Sequence, residues 1–127
     1  MVILDTNIII DHLRRNTGES FLFKLSKQLP VSDLSLSAIS IQELYEGKST
    51  KQPQKEKQLL AVIAPIKILP YTFETAKLAG EIARDLTNPI EIADSAIAAT
   101  AILNNAQLVT LNQKHFTAIK QLTLFKY

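Results

Sequence analysis

Val2-Ile3-Leu4-Asp5-Thr6-Asn7-Ile8-Ile9-Ile10 is the stretch on which the reading of this chain turns. The first three residues are a short apolar, largely β-branched run. Asp5, Thr6 and Asn7 are turn and helix N-cap residue types, and the apolar residues that follow extend to Leu13. The stretch reads as strand, turn, helix, with a carboxylate directly at the end of the strand.

Working outward, the same alternation repeats. A second helix is expected from Glu19 to Leu29, stopping before Pro30, and Leu34-Ser35-Leu36 follows as a short strand. Ser37 is placed to cap a helix over Ala38 to Glu46 that Gly47 ends. Lys48 to Gln54 is polar with one proline and reads as a loop before an amphipathic helix over Lys55 to Ala64. Ile66 to Leu69 is a third strand. Thr72 caps a long helix whose Ala76, Ala79, Ala83 and Leu86 recur at helical spacing. Thr87-Asn88-Pro89 turns the chain into Ile92 to Leu103, apolar on nearly every side and therefore buried. Leu108-Val109-Thr110 is a fourth strand and Leu122-Thr123-Leu124 a candidate fifth. Short buried strands alternating with helices imply an α/β domain of three layers, a central parallel sheet of four to five strands flanked by helices. Ligands in such sheets sit beyond the carboxyl ends of the strands, where strand order reverses.

Composition bounds the rest. The 127 residues, 46% hydrophobic, suffice for one core and are too few for two, so residues 1–127 are expected to form a single domain. No cysteine is present, which excludes disulfide stapling and thiolate metal sites and makes the cytoplasm the default expectation. No apolar run is long enough for a membrane span. A net charge of +2 permits a nucleic-acid substrate without demanding one.

Three acids fall where chemistry is expected. Asp5 follows the first strand, Glu43 lies in the helix after the second, and Asp94 opens the buried helix before the fourth. Taken singly, each has an ordinary alternative: an N-cap for Asp5, a solvated helix face for Glu43, a first-turn acid for Asp94. Asp94 is followed by Ser95-Ala96-Ile97-Ala98-Ala99-Thr100-Ala101, a helix too apolar to carry an unpartnered charge. Three carboxylates about 4 Å apart would repel by ~4 kcal/mol per pair at an effective dielectric of ~20. A divalent cation relieves this, and all-oxygen ligation points to magnesium or manganese.

Val2 to Asn7, Ile41-Gln42-Glu43-Leu44, Asp94 to Ala101 and Leu108-Val109-Thr110-Leu111-Asn112 occur in this order over essentially the full chain. With these blocks it resembles the PIN-domain ribonucleases of the VapC-like toxin type. The resemblance implies a metal-dependent endoribonuclease in which Asp5, Glu43 and Asp94 bind the metal and carry catalysis. Thr6, Thr110 and Asn112 would support them, and Asn7 would orient Asp5 through hydrogen bonds. It further implies an RNA substrate, a homodimer and a cognate antitoxin that blocks the site.

Many relatives carry a fourth acid where this chain has His115, which reads either as a site residue or as an exposed helix-start residue. Glu91, three residues before Asp94, can share its helix face or be a solvated first-turn acid. His12, Asp11, Asp33 and Asp85 read as surface residues. Arg14, Arg15, Lys48, Lys51 and Arg84 are cations that could meet phosphates or simply solvate the surface. Two rival functions remain open. One is phosphoryl chemistry on Asp5, against which stands the lack of an acid at Asn7 or beside Asp5. The other is a silent RNA- or partner-binding module of the same fold.

Overall fold

The computed structural model describes residues 1–15 and 18–127. Its elements run β1 (Val2–Leu4), α1 (Thr6–Arg14), α2 (Phe21–Ser26), β2 (Leu34–Ser37), α3 (Ala38–Glu46), α4 (Pro53–Ile63), β3 (Lys67–Leu69), α5 (Phe73–Asp85), α6 (Ile92–Leu103) and β4 (Gln107–Val109). Short 3-10 turns cover Val31–Asp33, Lys48–Lys51 and Gln113–His115. The sheet has the order β3-β2-β1-β4 with every pairing parallel. The chain therefore builds outward from β1 to β2 and β3 and returns to the other side of β1 for β4. The reversal lies between β1 and β4, and residues just beyond those two strands face the crevice it creates.

Alternation along the strands sorts the core into two layers. Val2, Leu4, Leu34, Leu36 and Val109 pack with Ile8, Ile9, Leu22, Leu25 and Leu59 on one face. Ile3, Leu69 and Leu108 pack with Ile82, Ile97 and the alanines of α6 on the other. Both faces being covered, Ser35 and Ser37 are buried rather than solvated. Ser35 Oγ donates to the Val2 carbonyl at 2.8 Å, and Thr100 Oγ1 stands 3.4 Å from Ser37 Oγ. Ser37 also caps α3 by accepting from the Ile39 amide. Seven consecutive residues of α6, Ser95 through Ala101, are buried, as its all-round apolar sequence requires. Just past its C-cap Asn104, Asn105 with a φ of 51° makes the left-handed turn that lets the Ala106 amide reach back to the Ala101 carbonyl at 2.9 Å.

Several expectations need correction. The second helix spans six residues rather than eleven, because Ser20 caps it by accepting from the Phe23 amide at 3.1 Å. Part of the expected loop after Gly47 is a 3-10 turn, and α4 starts at Pro53, whose missing N–H costs nothing at the first helical position. On α5 the buried residues are Thr75, Ala79 and Ile82, flanked by half-buried Leu78 and, just past the helix, Leu86, with Ala76 and Ala83 exposed; the larger apolar side chains determine which face turns inward. Leu122-Thr123-Leu124 forms no fifth strand. It touches the sheet through the bridge between Leu108 and Leu124, held by the Leu108 amide on the Thr123 carbonyl and the Phe125 amide on the Leu108 carbonyl. Asp11 is not a free surface acid: it accepts from the Phe21 amide at 3.0 Å and from Arg15 at 2.6 Å, tying the start of α2 to α1. His12 is half-buried, its Nδ1 2.5 Å from Ser20 Oγ.

Among the described residues no helix is long and apolar enough to cross a membrane. Because α6 is threaded between α5, α3 and three strands on small side chains, it has no room for larger ones. Ala98→Leu should lower the denaturant midpoint, with a loss of about 1–3 kcal/mol from overpacking, whereas Ala83→Leu on the exposed face of α5 should leave it within about 0.5 kcal/mol.

Candidate active site

Asp5 occupies the N-cap position of α1 but makes no side-chain cap hydrogen bond. The carboxylate instead turns across the β1–β4 junction, where Thr110 Oγ1 donates to Asp5 Oδ2 at 2.7 Å. Beneath it the Asp5 amide donates to the Val109 carbonyl at 2.8 Å, so backbone and side chain of Asp5 are both pinned to the end of β4. Thr110 Oγ1 in turn accepts from the Asn112 amide at 3.0 Å and lies 3.5 Å from Asn7 Nδ2. Asn7 also accepts from the Leu111 amide at 3.4 Å. Asn7, in the first turn of α1, thus reaches Asp5 through Thr110 and also holds the segment after β4 through the Leu111 amide.

Glu43 is half-buried on α3 and bound to α1. Thr6 Oγ1 is 2.5 Å from Glu43 Oε1 and 2.8 Å from Ser40 Oγ. A hydroxyl carries one proton and a carboxylate is the stronger acceptor, so Thr6 donates to Glu43 and the Ser40 hydroxyl supplies its proton to Thr6. Ser40 is fully buried and escaped the sequence reading. The available signal was its position three residues before Glu43, on the same helix face. Asp94, its side chain 16% exposed, lies in the first turn of α6 with Oδ2 3.4 Å from His115 Nδ1. His115 is therefore both exposed, at 58%, and in contact with an acid of the cluster. Glu91 is the exposed N-cap residue of α6 and makes no capping bond.

The electrostatics bind the three acids into one group. Burial raises the Asp5 carboxyl above its ordinary value of 3.8, partly offset by the Thr110 hydrogen bond, and the charge of Asp94 raises it further. Burial likewise raises Glu43, with the charge of Asp5 adding to it. Asp94 is raised by burial and by the charges of Glu91 and Glu43, while His115 opposes the shift. Each acid thus feels another of the three, as groups gathered in one crevice must. As the side chains stand, each is drawn to its own hydroxyl or imidazole, and among the described residues no three acids or histidines converge closely enough to grip one ion. The donor chemistry nonetheless fits a hard divalent cation: carboxylate oxygens, no thiolate, and like charges that a cation would relieve.

Arg15 and Arg84, two of the cations considered for phosphate contact, are paired with Asp11 and Asp85 on the surface. Lys48 and Lys51 are exposed on the 3-10 turn after α3. Arg14 and Lys55 share with Glu43 the lining of a cavity of 370 Å³ between α1, α3 and α4.

Comparison with known proteins agrees with this architecture. The family model described as the PIN domain matches residues 2–122. Ribonuclease VapC10 of Mycobacterium tuberculosis is 32% identical over 126 residues, covering 96% of this chain and 90% of the relative. Toxin FitB of Neisseria gonorrhoeae is 32% identical over 129 residues, covering 93% and 92%. Among solved structures, VapBC2 from Rickettsia felis bound to a promoter DNA fragment superposes with a TM-score of 0.81 at 26% identity, covering 100% of this chain and 99% of that one. A four-stranded parallel sheet with acids at its switch point, matched over nearly its whole length to these proteins, places the chain in the PIN-domain family, among its VapC-like members.

Proposed function

We propose that the protein is a metal-dependent endoribonuclease, the toxin of a toxin-antitoxin pair, that hydrolyses RNA phosphodiester bonds at Asp5, Glu43 and Asp94. The observation that carries this reading is the placement of three buried or half-buried acids beyond the sheet, Asp5 held by Thr110, Glu43 held by Thr6 and Asp94 beside His115, with no lysine or arginine paired to any of them among the described residues. The relatives named as ribonucleases support the chemistry, and those solved as VapBC complexes support a cognate antitoxin as partner. Phe73 and Ile92, 81% and 79% exposed, offer apolar surface for the homodimer that the family likeness suggests.

In this reading Asp5, Glu43 and Asp94 hold magnesium or manganese. The ion when bound supplies Lewis acidity toward phosphate oxygens and a water of lowered pKa. The chain's own part is positional. Thr110 and Thr6 each fix one carboxylate oxygen, of Asp5 and of Glu43, and leave the other directed by that anchor. Asn7 and the Asn112 amide hold Thr110 itself. His115, with Nδ1 3.4 Å from Asp94 Oδ2, would support that carboxylate or serve as a weak ligand near the scissile phosphate. Hydrolysis by water leaves a 5′-phosphate and a 3′-hydroxyl, whereas attack by the RNA's own 2′-hydroxyl leaves a cyclic phosphate; end-group analysis separates them.

Asp5→Asn, Glu43→Gln and Asp94→Asn should each reduce cleavage of a mixed RNA pool in magnesium by at least ~100-fold, the scale for loss of one transition-state electrostatic group. Their metal-free melting temperatures should stay level or rise while the metal-induced increase shrinks. Near-normal turnover of Asp94→Asn would remove the assignment, and metal-independent RNA binding without any cleavage would favour the silent module.

The raised carboxyls also set a pH dependence. Between their unfolded values, 3.8 to 4.5, and their higher folded values, the native state binds more protons than the unfolded chain, so stability falls as pH rises through that window. In chelator the melting temperature should therefore rise as pH is lowered from neutrality toward this window, and less steeply in Asp5→Asn. Below 3.8 the trend reverses, because Asp11 and Asp85 are depressed in the folded state and their stabilisation is lost on protonation.

His115→Asp adds a hard oxygen donor beside Asp94 and should tighten magnesium or manganese binding in calorimetry, raising cleavage at limiting metal. Unchanged metal affinity would leave His115 outside the metal's surroundings.

A further inference from the structure

A cavity of 590 Å³ opens beside Asp94, within the range of roughly 300–1,000 Å³ typical of ligand sites. One wall is the α5–α6 connection, with Asn88 and Pro89. The other is the turn after β4, with Lys114, His115 and Lys120. His115 touches Asp94, so this end of the cavity adjoins the acid cluster. Lys120, together with Asp85, Leu86 and Ala118, is shared with a second cavity of 430 Å³ that continues between the end of α5 and residues 118–121. Lys120 therefore stands at the end farther from the acids, and the groove runs on past it. A groove that passes from one cavity into the next suits a polymer better than a small metabolite. Of the acids in this lining, Glu91 and Asp94 influence each other at the cluster's end, and Asp85 is already engaged by Arg84 at 2.7 and 3.0 Å. Lys114 and Lys120 form no ion pair among the described residues, and their charge remains free to meet an anion.

We propose that this groove is the track of the RNA strand on one side of the scissile bond. Lys114 and Lys120 contact successive phosphates, and the wall of Leu86 and Pro89, with the Asn88 amide at its rim, receives a base. The proposal rests on the ribonuclease reading for its orientation relative to the acids, and it names the residues that would make a single-stranded polynucleotide the substrate. Neither lysine stands out in the sequence, since each is one cation on an irregular segment and only the fold brings them into one groove.

The test uses fluorescein-labelled, mixed-sequence single-stranded RNA 12-mers and the full chain carrying Asp5→Asn, so that binding is read without cleavage. Against that background, Lys114→Gln with Lys120→Gln should weaken binding roughly tenfold at low salt. It should also reduce the slope of log affinity against log salt by about 1.4, near 0.7 for each phosphate of a single strand that is no longer neutralised. Lys114→Arg with Lys120→Arg should keep the parent slope, and Lys67→Gln, at the opposite end of the sheet, should leave it unchanged. In the Asp5-intact protein, substrates shortened on the groove side of the cut should be cleaved equally by the parent and the double glutamine variant, while long substrates distinguish them. An unchanged salt slope in the double glutamine variant overturns the proposal. If the Asp5-intact protein cuts no RNA, the ribonuclease reading fails separately, and the binding slope still decides whether the groove holds a strand.

Discussion

The pairing of β1 with β4 is the constraint from which the rest of the structure follows. β1 lies inside the sheet with β2 on one side and β4 on the other, and the reversal of strand order at that point opens the crevice. The same pairing brings Thr110 to Asp5 from more than a hundred residues away and gives the Asp5 amide its acceptor. With β4 in place, the Asp5 carboxylate is withdrawn from capping and directed across the crevice toward Thr110.

Around that junction the protein concentrates charge it does not neutralise. Asp5, Glu43 and Asp94 each lose solvent and face another acid, and their protein partners are hydroxyls and one imidazole rather than lysine or arginine. Hydrogen bonds from hydroxyls orient a carboxylate without cancelling its charge, so the acids of the crevice still raise one another's carboxyls. Elsewhere the chain pairs its acids when it uses them structurally, as Asp11 with Arg15 and Asp85 with Arg84.

Much of this is legible in the sequence, for identifiable reasons. The strands around Ile3 and Leu36 and the helix from Ile92 to Leu103 carry strong apolar patterns bounded by capping residues, and their placement follows. The three acids stand out because each immediately follows a strand, lies in the helix after one, or opens a buried helix. The inward face of α5 is not legible in this way, because alanine spacing alone does not reveal which side meets the sheet, and Leu78 and Ile82 decide it. Leu122 to Leu124 has strand composition but is joined to the sheet by one bridge, a matter of tertiary pairing that local pattern does not encode. Ser40 and the Thr110–Asn7 contact are hidden for the same reason: a serine or threonine acquires its role from a partner far away in the chain.

The distance in sequence between Asp5 and Thr110 also has a consequence for how the protein comes into being. Closing so long a loop is entropically unfavourable, so the β1–β4 pair carries a larger closure cost than the β1–β2 pair. During synthesis, which proceeds from the N-terminus, β1, β2 and the helices between them can associate while β4 is still inside the ribosome. A nascent chain that already displays Asp5 and Glu43 has no Thr110 to turn Asp5 into the crevice and no switch point to hold it. The arrangement of acids at the switch point therefore comes into existence only after residue 110 has left the exit tunnel.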